Sequence, residues 1–393
     1  MRKFNIISRT KTLTNMFPAK HYVPILKWKR AEYRALKGLD ESTKSVMTPL
    51  IELVMPKASN PYKDKERTQR KTSDEIFVEV VSKFKTQRAK EIPEDIKESW
   101  GSQPVFVDFS LLYEAEHTTA LKAESMQVIV TEGISQGLRI IPVVNLHDDD
   151  SIKKTAADLA KKHQLGFCVR VSKSDLKDAE QLNEKLQNLV DSSGLPINQI
   201  DILVDLKSIA DGEYEYFLKL SQEIMAIAEW RNFILAAGSF PEDLTGCKLD
   251  EQTFLSRLEW RGWVRHAYAK DLKRVPTYGD YTMRNPIFKE STQFYPPTSS
   301  ICYAVEDDWM VMKGKRQRFD LYLANAKLLV DSSNRFFGAD HCAGDLFASE
   351  KAKHFEAYML NPELKGTGSS EDWIYVGINH HLALTAHQVA NLA

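Results

Sequence analysis

Six short apolar segments each carry one polar residue at nearly the same step. They are Lys27 in PILKW, Glu52 in PLIEL, Asp108 in VFVDF, Asn145 in PVVNL, Arg170 in CVRV and Asp205 in ILVDL. Ser239 in AAGSF falls near the same level. If these residues share a direction, they converge on one cavity. Glu52, Asp108 and Asp205 are then candidates for acid–base work, and equally for oxygen ligation of Mg²⁺ or Mn²⁺. A metal so held could assist phosphoester hydrolysis or an isomerisation. Lys27 and Arg170 are candidate anion ligands, Arg170 through a bidentate fork. Lys29 joins them, because side chains two residues apart on a strand share a side. Asn145 and Ser239 would line the pocket. A desolvated Lys27 could instead form a Schiff base.

Charge limits this arrangement. An unpaired buried charge costs several kcal/mol. Lys27 and Arg170 supply two cations against the three carboxylates, which leaves one negative charge. Lys29, a raised carboxylate pKa or a divalent cation could settle it. The competing interpretation is an ionic layer that caps the core and does no chemistry. A shift of one residue along any strand would turn its polar residue outward.

The elements that must position these residues alternate. Apolar runs at 22–29, 47–53, 104–109, 139–146, 166–171, 199–206 and 232–239 read as strands buried on both faces. VPTYGDYTM at 275–283 is the eighth candidate, weakened by its Pro and Gly. Amphipathic stretches such as RAEYRALKGL, SIKKTAADLAKKH and DLKDAEQLNEKLQNLV lie between them. Strand–helix alternation with short connections predicts parallel strands. Eight units favour a closed α/β fold, a TIM-like (β/α)8 barrel over 21–290, preceded by an N-terminal segment 1–20. The polar residues then ring its carboxyl-end mouth, where barrel sites are built. An open doubly wound sheet is the alternative topology.

Past residue 290 the pattern changes to an α+β extension over 291–393. It holds a hairpin turning at EDD (306–308), with a turn expected to be solvated. Its histidines His341, His380 and His381, with Asp340, are metal-ligand candidates only if their two segments meet. Neighbouring His380 and His381 must point in different directions. A basic insertion at 55–71 follows the second strand. It reads as a lid over an anionic ligand or as a solvated loop.

Composition excludes several classes. The 393 residues carry a formal net charge of −1, which argues against general nucleic-acid binding, including through the 57–71 loop. Cys168, Cys247, Cys302 and Cys342 are widely spaced, with neither a zinc ribbon nor a disulfide pattern. The basic N-terminus lacks the apolar stretch of a signal peptide, and no run is long enough to span a membrane. A cytoplasmic setting is expected. Phosphate-loop, GxGxxG, HExxH and GxSxG motifs are missing.

PILKWKRAE with Lys27, Lys29 and Glu32, the PLIEL strand and the terminal GINHH segment together resemble the beta protein family. That family is named after a protein of a T-even coliphage, and its members also occur in bacterial genomes. The resemblance runs from about residue 20 to the end. It implies a role in phage–host conflict and brings no catalytic assignments. Two functions follow as expectations. One is a barrel-mouth pocket that binds or acts on a small anionic ligand, phosphorylated or nucleotide-like. The other is a non-catalytic module that docks a protein partner of a phage or defence complex through its C-terminal extension.

Overall fold

The computed structural model describes residues 17–392 apart from 19, 57–71, 113–118, 250, 267–270, 288–297, 333, 362, 364 and 365. Most of the N-terminal segment and of the basic insertion therefore lies outside the described residues.

The strands are β1 (Tyr22–Lys27), β2 (Leu50–Glu52), β3 (Pro104–Asp108), β4 (Arg139–Asn145), β5 (Phe167–Ser172), β6 (Ile200–Ser208), β7 (Phe233–Gly238), β8 (Thr253–Ser256), β9 (Thr277–Asp280), β10 (Ile301–Val305) and β11 (Asp308–Met312). β1 to β7 and β9 close into one barrel, and every ladder in it is parallel. This is the expected (β/α)8 architecture. The weak eighth strand is real and lies within the expected stretch.

Alternation sorts the strand residues into two cores. Val23, Ile25, Leu50, Phe106, Ile141, Val143, Cys168, Leu203, Ile234 and Ala236 fill the barrel. Leu26, Ile51, Val107, Val144, Val169, Val204 and Leu235 face the helices. Two residues past the inner apolar set lie Lys27, Glu52, Asp108, Asn145, Arg170 and Asp205, so strand phase alone turns them inward.

They do not form a flat ring. Lys27, Glu52 and Asp108 are lateral neighbours, but Asp108 pairs with Val143, two residues short of Asn145. Asn145 pairs with Arg170, and Arg170 with Leu203, two residues short of Asp205. The row climbs as the strands stagger, which is the shear that closing a barrel requires.

β8 leaves the loop between β7 and β9 and pairs antiparallel with β11, which pairs with β10. This small sheet thus draws on both sides of residue 290. Helices Asp320–Val330, Ala343–Leu360 and Ser370–Asn391 pack on it around Tyr303, Met310, Tyr322, Leu329 and Trp373. The turn between β10 and β11 is solvated as expected, and it is also tied to the helix that follows β8. Glu306 and Asp307 are exposed, yet the Glu306 carbonyl accepts from Arg257 (2.6 Å) and the Asp307 carboxylate from the Trp260 indole (3.1 Å).

The helix Ser370–Asn391 also packs on β1 and on the first helix, Arg30–Lys37. Asn379 donates to the Ala35 carbonyl at 2.9 Å, and Arg34 pairs with Asp372 at 2.8 Å. The chain's last helix thereby serves as the outer helix beside β9 and β1.

Candidate functional site

Arg170 is the hub of the barrel mouth. Its guanidinium donates to Asp205 through Nε (3.0 Å) and Nη2 (2.7 Å), to Glu52 through Nη2 (2.8 Å), and to Asp108 through Nη1. The Tyr281 hydroxyl lies 2.6 Å from Nη2 and donates to Asp205 at 2.7 Å. All four charged residues are at least 96 % buried. A guanidinium therefore occupies the centre that the sequence reading offered to a divalent cation. Arg170 anchors the carboxylates, and its fork points at them rather than at an incoming anion.

The missing positive charge belongs to Lys207. Its Nζ lies 3.1 Å from Asp205 and 3.5 Å from Glu52. Arg170, Lys27 and Lys207 then balance Glu52, Asp108 and Asp205. Lys207 sits in a bulge of β6 with φ of +53°, a left-handed conformation that costs a non-glycine residue about 1 kcal/mol or more. Its amide donates to the Asp205 carboxylate at 2.9 Å, which helps hold the bulge.

Electrostatics separates the members. Burial alone would raise Asp205, but Arg170, Lys207 and the Tyr281 hydroxyl outweigh it and hold the carboxyl well below its usual range. Lys27 is shifted the other way. Burial lowers its pKa to about 8, against a partial offset from Glu52 and with a further push from Lys207. Its Nζ donates to the Asn285 carbonyl at 2.9 Å. Glu52 keeps one buried oxygen, Oε2, without a hydrogen-bond partner.

Of the other expected members, Asn145 borders the cluster and Lys29 and Ser239 lie outside it. Asn145 is half-buried beside Arg170, and its backbone is tied to Asp148 (2.7 Å). Lys29 is half-buried just past the end of β1, at the start of helix Arg30–Lys37. Ser239 turns away from the mouth and bonds the Ser256 carbonyl (3.0 Å) and Glu259 (2.5 Å). Burial raises Glu259 to about 7.

Sequence reasoning missed Lys207 and Tyr281. The two-residue step that suggested Lys29 also puts Lys207 in phase with Asp205, so that signal was available. Tyr281 was not readable, because nothing in YGDY says whether Asp280 or Tyr281 faces inward. Asp280 in fact faces out. It accepts from Tyr22 (2.6 Å) and Tyr278 (3.1 Å) and meets His381 Nε2 at 2.8 Å. His380 points to a different group, Asp345 and the Ala304 carbonyl. Asp340 is exposed.

A type I 3-dehydroquinate dehydratase from Clostridium difficile, solved with covalently modified comenic acid, is similar over 70% of this chain and 89% of its own, at 12% identity and a TM-score of 0.38. No curated protein matches. Among the described residues no helix is long and apolar enough to cross a membrane. The model of the family described as Beta protein matches residues 22–387, nearly the whole chain, and the protein belongs to that family.

Proposed function

We propose that the carboxyl-end mouth of the barrel binds a small anionic ligand and that Lys27 is the group that acts on it. The observation that carries this is the state of Lys27. It is 92 % buried, its pKa is lowered to about 8, and it shares the mouth with a second lysine. A purely structural ionic layer has no need of an amine kept partly neutral near physiological pH. An amine so tuned is a nucleophile or general base. Lys207, 40 % exposed at its side chain, is the cation placed to meet the ligand's charge. The free oxygen of Glu52 is a proton acceptor within the same cluster. Asp108, Asp205 and Arg170 hold these groups in place. The family's phage and bacterial membership suggests phage–host conflict as the setting.

The test is thermal unfolding with phosphate, pyrophosphate, AMP and pyruvate on wild type, Lys27→Met and Lys207→Met. Saturable stabilisation of wild type by one of these anions, weakened in both variants, supports the reading. Equal responses in all three proteins refute it.

A second reading rests on exposed apolar side chains of the extension. Leu346, Met359 and Leu360 lie along helix Ala343–Leu360, and Leu360 is 90% exposed. A protein partner of a phage or defence complex would cover them. Substituting them with Lys would then abolish function while leaving the response to anions intact.

A further inference from the structure

The C-terminal helices bring together three ligand-type side chains outside the barrel mouth. One nitrogen of His341, one carboxylate oxygen of Asp345 and one nitrogen of His380 lie within 4.8 Å of one another. Gly344 allows the helices to approach, and Gly377 lets the last helix lie against β10. A Cβ on Gly344 would stand 2.7 Å from the Val376 carbonyl, and one on Gly377 would stand 1.9 Å from Met283 Cε and 2.6 Å from the Cys302 carbonyl. Without side chains there, Ala343–Leu360 crosses Ser370–Asn391 closely, and the latter lies against β10. Asp345 and His380 are then fully buried face to face.

The hydrogen bonding of His380 is the telling feature. Its Nε2 lies 2.9 Å from the Ala304 carbonyl, an acceptor only. Its Nδ1 lies 3.0 Å from Asp345 Oδ2. A neutral imidazole has one N–H. Once that proton serves Ala304, the lone pair of Nδ1 faces a carboxylate oxygen. A positive charge must lie between them, either a second proton or a metal ion. Two further observations favour the metal. His341 Nε2 is buried and has no hydrogen-bond partner, and Asp345 Oδ1 is buried with no hydrogen bond of normal geometry, although the Tyr303 hydroxyl and the Cys342 thiol lie close enough to this carboxylate to interact with it. A proton on Nδ1 satisfies neither, whereas an ion gives a use to both residues.

The geometry fits as well. Ligand atoms about 2.0 Å from one ion are roughly 3 Å apart, the spacing found between His380 and Asp345. A carbonyl on the far nitrogen of a ligating histidine is the usual orienting contact. His341 also lines a cavity of about 310 Å³ with Asp40, Thr43 and Cys342, so one of the three ligands borders open space. Three protein ligands leave a coordination position open.

We propose that His341 Nε2, Asp345 and His380 Nδ1 form a binding site for a divalent transition-metal ion. Two imidazoles and one carboxylate suit Zn²⁺, Co²⁺ or Fe²⁺ rather than Mg²⁺ or Ca²⁺.

The test is calorimetric titration of the chelator-treated full chain with Zn²⁺ and with Mg²⁺, together with the visible spectrum of the Co²⁺ form. Wild type, His341→Ala and His380→Gln are compared. His341 is half-exposed, so His341→Ala should fold even if His380→Gln does not. We expect one Zn²⁺ per chain, no Mg²⁺ uptake, Co²⁺ ligand-field bands, and affinity at least about tenfold weaker in His341→Ala with an unchanged unfolding temperature of the metal-free protein. Absence of Zn²⁺ uptake by wild type would overturn the proposal. Unaltered uptake by His341→Ala would overturn it too, because the ion would then lie elsewhere.

Discussion

Replacing Asp205 by Asn removes one charge and changes almost no volume, so its effect reports how the mouth is held. Asp205 Oδ2 receives Arg170 Nε, Arg170 Nη2, the Tyr281 hydroxyl and Lys207 Nζ, all within 3.1 Å, and a second contact joins the carboxylate to the Lys207 amide. An amide cannot serve this set. In one orientation its NH2 faces four donors. In the other it faces the Lys207 N–H. Breaking one partner of a buried ion pair costs about 3–5 kcal/mol, a large part of a typical domain's stability. Asp205→Asn should therefore unfold at lower urea by that amount at pH 7. The sign of the titration agrees. A carboxyl held low in the folded state contributes stability above its unfolded pKa and loses it as pH falls through the folded value. Arg170→Met should cost more, because it strands three buried carboxylates. In that background the sign reverses, and Asp205→Asn becomes stabilising by removing one of the stranded anions. The assay is urea unfolding of the four proteins at low salt, followed by circular dichroism, and read as a double-mutant cycle. An Asp205→Asn protein as stable as wild type, or more so, would refute this account. The carboxylates would then be mutually strained rather than tied by Arg170.

Other outcomes follow from the same structure. Lys27→Met should stabilise the protein at pH 7 by up to roughly 3 kcal/mol, since each unit of pKa shift is about 1.4 kcal/mol. A lysine lowered to about 8 destabilises the fold at pH values below 8 and ceases to do so as pH rises toward its unfolded value, so the gain should fade by pH 10.5. A gain independent of pH would sink that argument. Glu259, raised to about 7, makes wild type lose stability between about pH 4.5 and pH 7, so Glu259→Gln should flatten that part of a stability–pH curve and match wild type at pH 4. Gly377→Ala should destabilise by more than about 2 kcal/mol, because its methyl meets Met283 and the Cys302 carbonyl. Thermal unfolding checks this, and an unchanged midpoint would show that Met283 gives way.

The sequence by itself determined the barrel and most of its mouth. Seven apolar runs and their amphipathic partners specify strands buried on both faces, and a period of two then decides which side chains face in. That is why Lys27, Glu52, Asp108, Arg170 and Asp205 were legible: their phase is set locally, by the apolar residue two positions earlier. What these residues do to one another was not local. Strand stagger decided that Arg170 sits among all three carboxylates, and a left-handed residue in the β6 bulge decided that Lys207 completes the charge balance. Nothing in a linear pattern separates Asp280, which faces the last helix, from Tyr281, which faces Arg170. The same holds for His341, Asp345 and His380. Two of them lie four residues apart and the third is 35 residues on, and only the close helix crossing allowed by Gly344 brings them together. Periodicity fixes the direction of a side chain, but packing between distant elements chooses what it meets.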